Sequence, residues 1–310
     1  MNRKLLLYIV PLVIIWGSMA GILLIPLERL SVPMVVLFNL ATGLIFLIPY
    51  LAFTGGFRIL AQYSPSQWLR LVLAGCVGCF FYYAFYFFGL KIGGAGSAIE
   101  VSLMNYLYPI MTVIFSAVIL RERVTPLGVL SILISFAGGY LIISRGRLFH
   151  INLEAWRALL FGLAAAVSWG LFSALGRKWT NRPVPAIFVY YLTGLVLAVL
   201  WVLWDPRQLT MPTAREFACM AYAGAVSNCL GAILWFSALQ VSNATLVGNI
   251  AYSGVFLNVL VIHFIAGAPI RPSSLVGLGL ISVGVLLAGR HGSVSTPVKH
   301  DPGTGRPLTS

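Results

Sequence analysis

A chain of 310 residues that is 60% hydrophobic and 9% charged, with mean hydropathy +0.96, is too apolar for a water-soluble domain and reads as an all-α polytopic membrane protein. Its formal net charge of +13 does not make nucleic acid a partner, because the Lys and Arg residues sit mainly at the ends of apolar segments, where they meet anionic headgroups of the bilayer.

The first apolar run, Leu5 to Pro26, follows a charged Asn2-Arg3-Lys4 start, is long enough to span and has no small-residue cleavage site, so it is expected to stay as an anchor. Windows of about 18–24 residues, each able to cross about 30 Å of hydrocarbon, recur along the chain. They fall at Leu5–Leu24, Pro33–Phe53, Trp68–Leu90, Ala98–Leu120, Leu127–Ser144, Ala158–Leu175, Val184–Trp204, Phe217–Leu239, Thr245–Gly267 and Ser274–Gly289, which predicts ten transmembrane helices. An N-terminus in the cytoplasm leaves twelve Lys and Arg residues inside and eight outside, so both termini are expected there.

The chain repeats itself. Trp16-Gly17 recurs as Trp169-Gly170, Val32-Pro33 as Val184-Pro185, Thr42-Gly43-Leu44 as Thr193-Gly194-Leu195 and Ala74-Gly75 as Ala223-Gly224, at offsets drifting from 153 to 149. Residues 1–145 and 158–290 are therefore expected to be two five-helix repeats joined by a connector, 146–157, with 291–310 a disordered polar tail. Five is odd, so the second repeat enters the membrane inverted, which is the plan of secondary transporters with a site between repeats near the midplane.

In the first helix of each repeat, Gly17-x-x-x-Gly21 and Gly170-x-x-x-Ala174 predict close backbone approach. Trp16 and Trp169 lie inward of the interfacial belt, as cavity wall or as lipid-facing filler. Cys76-Val-Gly-Cys79 has the spacing of a metal or redox pair but no third ligand nearby; small-residue packing is expected there, with no metal and no cofactor. On the third helix Cys79, Tyr82, Tyr83 and Tyr86 share one arc, and Phe81, Phe85 and Phe88 the opposite one. Phenol hydroxyls want partners and phenyl rings do not, so the tyrosine face should turn to protein or water and the phenylalanine face to lipid.

The fourth helix carries the densest polarity. Ser97, Asn105, Tyr108, Thr112 and Ser116 fall within roughly 100° of arc, with Glu100 about 60° to one side and Tyr106 about 80° to the other. Glu100 is the one acid inside the delimited spans, where a carboxylate costs roughly 2.5–3.5 kcal/mol on insertion scales. It also completes a Ser97-Ala-Ile-Glu100 capping box, and both readings stand. Pro109 cannot donate to the Asn105 carbonyl, so the helix should bend there as a hinge, with a free acceptor beside the amide. The second repeat has Asn249, Tyr252, Ser253 and Gly254 at the equivalent level, with Gly254 the loosening residue. His263 fits an interfacial position. No H-E-x-x-H, G-x-S-x-G or P-loop pattern occurs, and no charge ring of a channel, so an enzyme is not expected.

With Trp-Gly opening each half and Arg121-Glu-Arg-Val-Thr-Pro-Leu-Gly128 leading into the fifth helix, the chain resembles the EamA-like carriers of the drug/metabolite transporter superfamily up to about residue 290. Ala98-Ile-Glu-Val-x-x-x-Asn-Tyr-Leu-Tyr-Pro109 is similar to the helix-4 motif of YddG-type aromatic amino acid exporters of bacterial inner membranes, with Tyr108 where relatives often carry tryptophan. The resemblance implies export of aromatic amino acids and similar amphipathic compounds by alternating access. The cavity would be lined by Tyr106, Tyr108, Trp169 and the tyrosines of the third helix; Trp16 and Tyr252 join them as candidates from their places in the repeat. Two other functions fit the residues: a broad exporter of cationic or lipophilic drugs with Glu100 as counter-ion, and a membrane assembly partner without transport. A sugar-phosphate or nucleotide carrier would need Lys or Arg within the spans.

Overall fold

The computed structural model describes residues 3–17, 22–144, 146, 156–180, 182–257, 260, 270 and 272–291, the side chains of 95–100 and 289–291 excepted. Every regular element among them is helical. The first expected span falls on α1 (Arg3–Gly17) and α2 (Leu24–Arg29), and α3 (Val32–Thr54) and α4 (Gly56–Leu60) follow. α5 (Pro65–Gly75) leads through a π-helical segment, Cys76–Phe81, into α6 (Tyr82–Asn105), then α7 (Tyr108–Ile119) and α8 (Pro126–Ile143). The second half runs α9 (Trp156–Trp179), α10 (Pro183–Trp204), α11 (Ala214–Ala221), a second π-helical segment at Tyr222–Leu230, α12 (Gly231–Val241), α13 (Ala244–Ala251) and α14 (Pro272–His291).

Among the described residues seven stretches are long and apolar enough to cross a membrane, including Pro65–Gly94, Val101–Ile119 and Ala214–Val241, and two shorter apolar helices cover 244–257 and 272–288. His263 and the tail lie outside the described residues. Helix starts follow local chemistry: proline occupies the first turn of α3, α5, α7, α8 and α10. Thr125 accepts from the Gly128 amide and Asn243 from that of Leu246. Ser64 with Gln67 and Thr213 with Glu216 form capping boxes at equivalent places in the two halves.

Two expectations about helix geometry change. The third span is not a regular helix, because it widens to π-helix over Cys76–Phe81, so Cys79 leaves the arc drawn through Tyr82 and Tyr86. Between the third and fourth spans the backbone turns at Gly94 (φ 55°), in the left-handed region glycine tolerates. Helix resumes at once, so Ser97 and Glu100 both lie within α6; the side chains on which the box read from Ser97 to Glu100 depends fall outside the described ones.

Packing sorts the helices into two groups, each drawn from both halves. α1 and α3 pack with α11, α12 and the π segment between them; α9 and α10 pack with α5, α6, α7 and the other π segment; α2 is joined to α11 and α3 and also lies against α6. The groups meet along α3 and α10, where a Cβ on Gly43 would strike Tyr191 and one on Gly194 would strike Leu40 and Cys79. At Gly170 a Cβ would lie 2.7 Å from the Met111 carbonyl carbon, the backbone approach expected of α9. α8 and α14 form a pair of their own around Gly138 and Gly277. Asn249 belongs to that pair's packing, bonded to Ser131, Ser135 and the Thr245 carbonyl.

Candidate functional site

Where α1 and α12 of one group face α6, α7 and α9 of the other, five rings converge. Trp16 lies 5.8 Å from Tyr108, 6.0 Å from Trp169 and 5.5 Å from Trp235, centroid to centroid. Tyr82 sits 4.8 Å from Trp169, and Tyr108 lies 5.7 Å from Trp235 and 6.4 Å from Trp169. The rings expected to line a cavity thus neighbour one another in a cluster that straddles the seam between groups.

The cluster's polar atoms divide into satisfied and open. Trp16 Nε1 donates to the Ser227 carbonyl at 3.0 Å, in a π-helical segment, and Trp235 Nε1 donates to Ser173 Oγ at 2.9 Å. By contrast Trp169 Nε1 and Asn105 Oδ1, on residues 5% and 8% exposed, have no hydrogen-bond partner among the described residues. Both border Tyr82, whose ring meets Trp169 and whose hydroxyl faces the Asn105 side chain. An unpaired donor and an unpaired acceptor thus stand beside one tyrosine, each costing about 1–3 kcal/mol of desolvation unless a ligand or water completes it.

The remaining sequence candidates distribute as follows. Tyr86 stacks on Tyr82 at 6.1 Å and its hydroxyl meets Ser102 at 3.3 Å. Tyr83 is turned to α10, its hydroxyl 3.2 Å from that of Tyr191. Tyr106 lies in the break between α6 and α7, its ring 6.4 Å from Tyr108. The acceptor used at that break is the Tyr106 carbonyl, which takes a 3.0 Å bond from the Tyr252 hydroxyl. Pro109 stands in the first turn of α7 against Gly248, and Gly254 faces the α1 backbone at Val13 and Gly17. The side chains of Ser97 and Glu100 lie outside the described ones. Phe81, Phe85 and Phe88 line an apolar groove of about 500 Å³ with Phe161, Trp201 and Trp204, on the face away from the tyrosines.

Sequence reasoning missed Trp235 and its partner Ser173. The repeat offset of 149 that carries Ala74 onto Ala223 also carries Tyr86 onto Trp235, and that was the available signal. Glu216 was missed too: buried in the first turn of α11, it is gripped by Arg29 through Nε at 2.9 Å and Nη2 at 2.6 Å.

The fold is that of a polytopic membrane transporter. Residues 3–144 and 156–290 each match the EamA-like transporter family, to which the chain belongs. It is 26% identical to an uncharacterized transporter, YyaM, of Bacillus subtilis, over 81% of both chains. It is also 26% identical to an aromatic amino acid exporter, YddG, of Ancylobacter novellus, over 67% of this chain and 69% of that one. A solved crystal structure superposes with a TM-score of 0.77 over 94% of this chain and 99% of that chain, at 21% identity, which bears on the fold alone.

Proposed function

We propose that this chain is a secondary transporter that exports aromatic amino acids, and amphipathic compounds like them, by alternating access across a bacterial inner membrane. The observation that carries the reading is the pair of open polar atoms inside the aromatic cluster, Trp169 Nε1 and Asn105 Oδ1. A zwitterion offers a carboxylate to the indole N–H and an ammonium to the amide oxygen, while its ring replaces ring–ring contacts among Trp16, Tyr82, Tyr108 and Trp169. The printed function of the Ancylobacter relative supports the same class of substrate. Two matches to one family, at 3–144 and 156–290, support a repeated chain; five helices in each repeat, the inversion of the second and cytoplasmic termini rest on the apolar windows and the distribution of Lys and Arg in the sequence.

Efflux from proteoliposomes loaded with labelled phenylalanine tests this. Tyrosine, tryptophan and phenylalanine are expected to compete, and lysine and glutamate to compete far less. Preference for a quaternary ammonium would favour a drug exporter, and no efflux of any small molecule would favour the assembly partner.

A further inference from the structure

The two packing groups are each pinned internally by an ion pair and tied to each other by polar side chains at both ends of the molecule. Arg29 grips Glu216 inside one group, and Arg177 grips Glu122 inside the other. Lys91, at the end of Pro65–Gly94, crosses between groups: its ammonium donates to the carbonyls of Leu27, Glu28 and Leu30 at 2.6, 3.2 and 3.3 Å, where α2 ends. Gln240 occupies the equivalent place in the other half, at the same offset of 149. Its Nε2 crosses the opposite way, donating to the Thr180 carbonyl at 3.0 Å, where α9 ends.

The two contacts stand at opposite ends. Glu216 opens the stretch Ala214–Val241 next to Arg29, and Arg29 lies among the α2 carbonyls that Lys91 caps. Gln240 lies near the far end of that same 28-residue stretch, and at about 1.5 Å per residue this puts it about 35 Å from Glu216. Between them, at the level of the aromatic cluster, Trp235 donates to Ser173 and Tyr252 to the Tyr106 carbonyl.

We propose that Lys91 and Gln240 are paired latches whose alternate release opens the aromatic site first to one side of the membrane and then to the other. Unpaired carbonyls at a helix C-terminus attract a cation through the helix dipole as well as through hydrogen bonds. Lys91 meets three such oxygens with a full charge and Gln240 meets one with an amide, so the Lys91 end is the more firmly closed. Parting the groups at one end breaks its latch and leaves both ion pairs intact, because each pair lies within a group. Ser31 Oγ adds a 3.3 Å bond to the Gln208 carbonyl at the Lys91 end.

The inference rests on the alternating-access reading above, and its test needs no substrate. Spin labels on Glu28→Cys and Ile92→Cys report the Lys91 end, and labels on Lys178→Cys and Ser242→Cys the other, in the full chain in liposomes. Lys91→Met is expected to lengthen the first distance and not the second, raising the ratio of open to closed at that end by about tenfold or more. Gln240→Leu is expected to lengthen only the second, and Lys91→Arg to restore the first. Should Lys91→Met not fold, Lys91→Gln is read in its place with a smaller shift. Both ends lengthening together, or neither moving, overturns the latches. If labelled amino acids cross while both variants keep the wild-type distances, the latch assignment alone fails; if the distances shift as stated and no amino acid crosses, the substrate reading alone fails.

Discussion

Trp169 illustrates how a single side chain separates packing from recognition. Its ring contacts Trp16, Tyr82, Tyr108, Phe172 and Trp235, while its N–H has no acceptor among the described residues. Trp169→Phe keeps a ring and deletes the idle donor, so the melting temperature should hold or rise while KM for an aromatic amino acid rises about tenfold. Trp235→Phe should behave in the opposite way: losing the bond to Ser173 costs about 1 kcal/mol of stability in a thermal melt, with a smaller change in KM. At this scale the sequence was readable where the repeat drew attention, at Trp16, Trp169 and the Asn105–Tyr108 stretch. It was not readable where an orientation depended on a distant helix. Tyr83 belongs by wheel to the cluster's arc, yet Tyr191, 108 residues on, takes its hydroxyl.

Helices differ from their sequence pattern where backbone register changes. Wheel arguments assume 3.6 residues per turn, and each π segment shifts the faces that follow it; apolar periodicity gave no warning at Cys76–Phe81 or Tyr222–Leu230. The start of the fourth span was placed late for a related reason: the glycines before it allow the turn to fall at Gly94, four residues ahead of Ala98. The break at Tyr106–Leu107, by contrast, was legible from Pro109, since proline disfavours an uninterrupted helix there. Tyr252→Phe removes the hydroxyl that serves this break and leaves a part-buried carbonyl, which should cost about 1–3 kcal/mol in a thermal melt. Pro109→Ala should straighten the break and slow exchange between the two open forms, seen as slower labelling of a cavity cysteine from both sides.

Across the whole molecule, composition and the drifting repeat made the membrane class legible, because about 20 apolar residues in succession have few alternatives. The grouping of helices was not, since no periodicity states that α1 and α3 pack with α11 and α12 or that α9 and α10 pack with α5–α7. Glu216→Gln should lower the melting temperature through loss of the ion pair with Arg29 while keeping the reach to Thr213, and high salt should narrow its difference from wild type. The central claim is that one site holds a ring together with both poles of an amino acid, and competition among three analogues tests it most directly. In the proteoliposome assay, phenylalanine should compete at least about tenfold better than phenethylamine, which lacks the carboxylate, and 3-phenylpropionate, which lacks the ammonium. Equal competition by either analogue would contradict it.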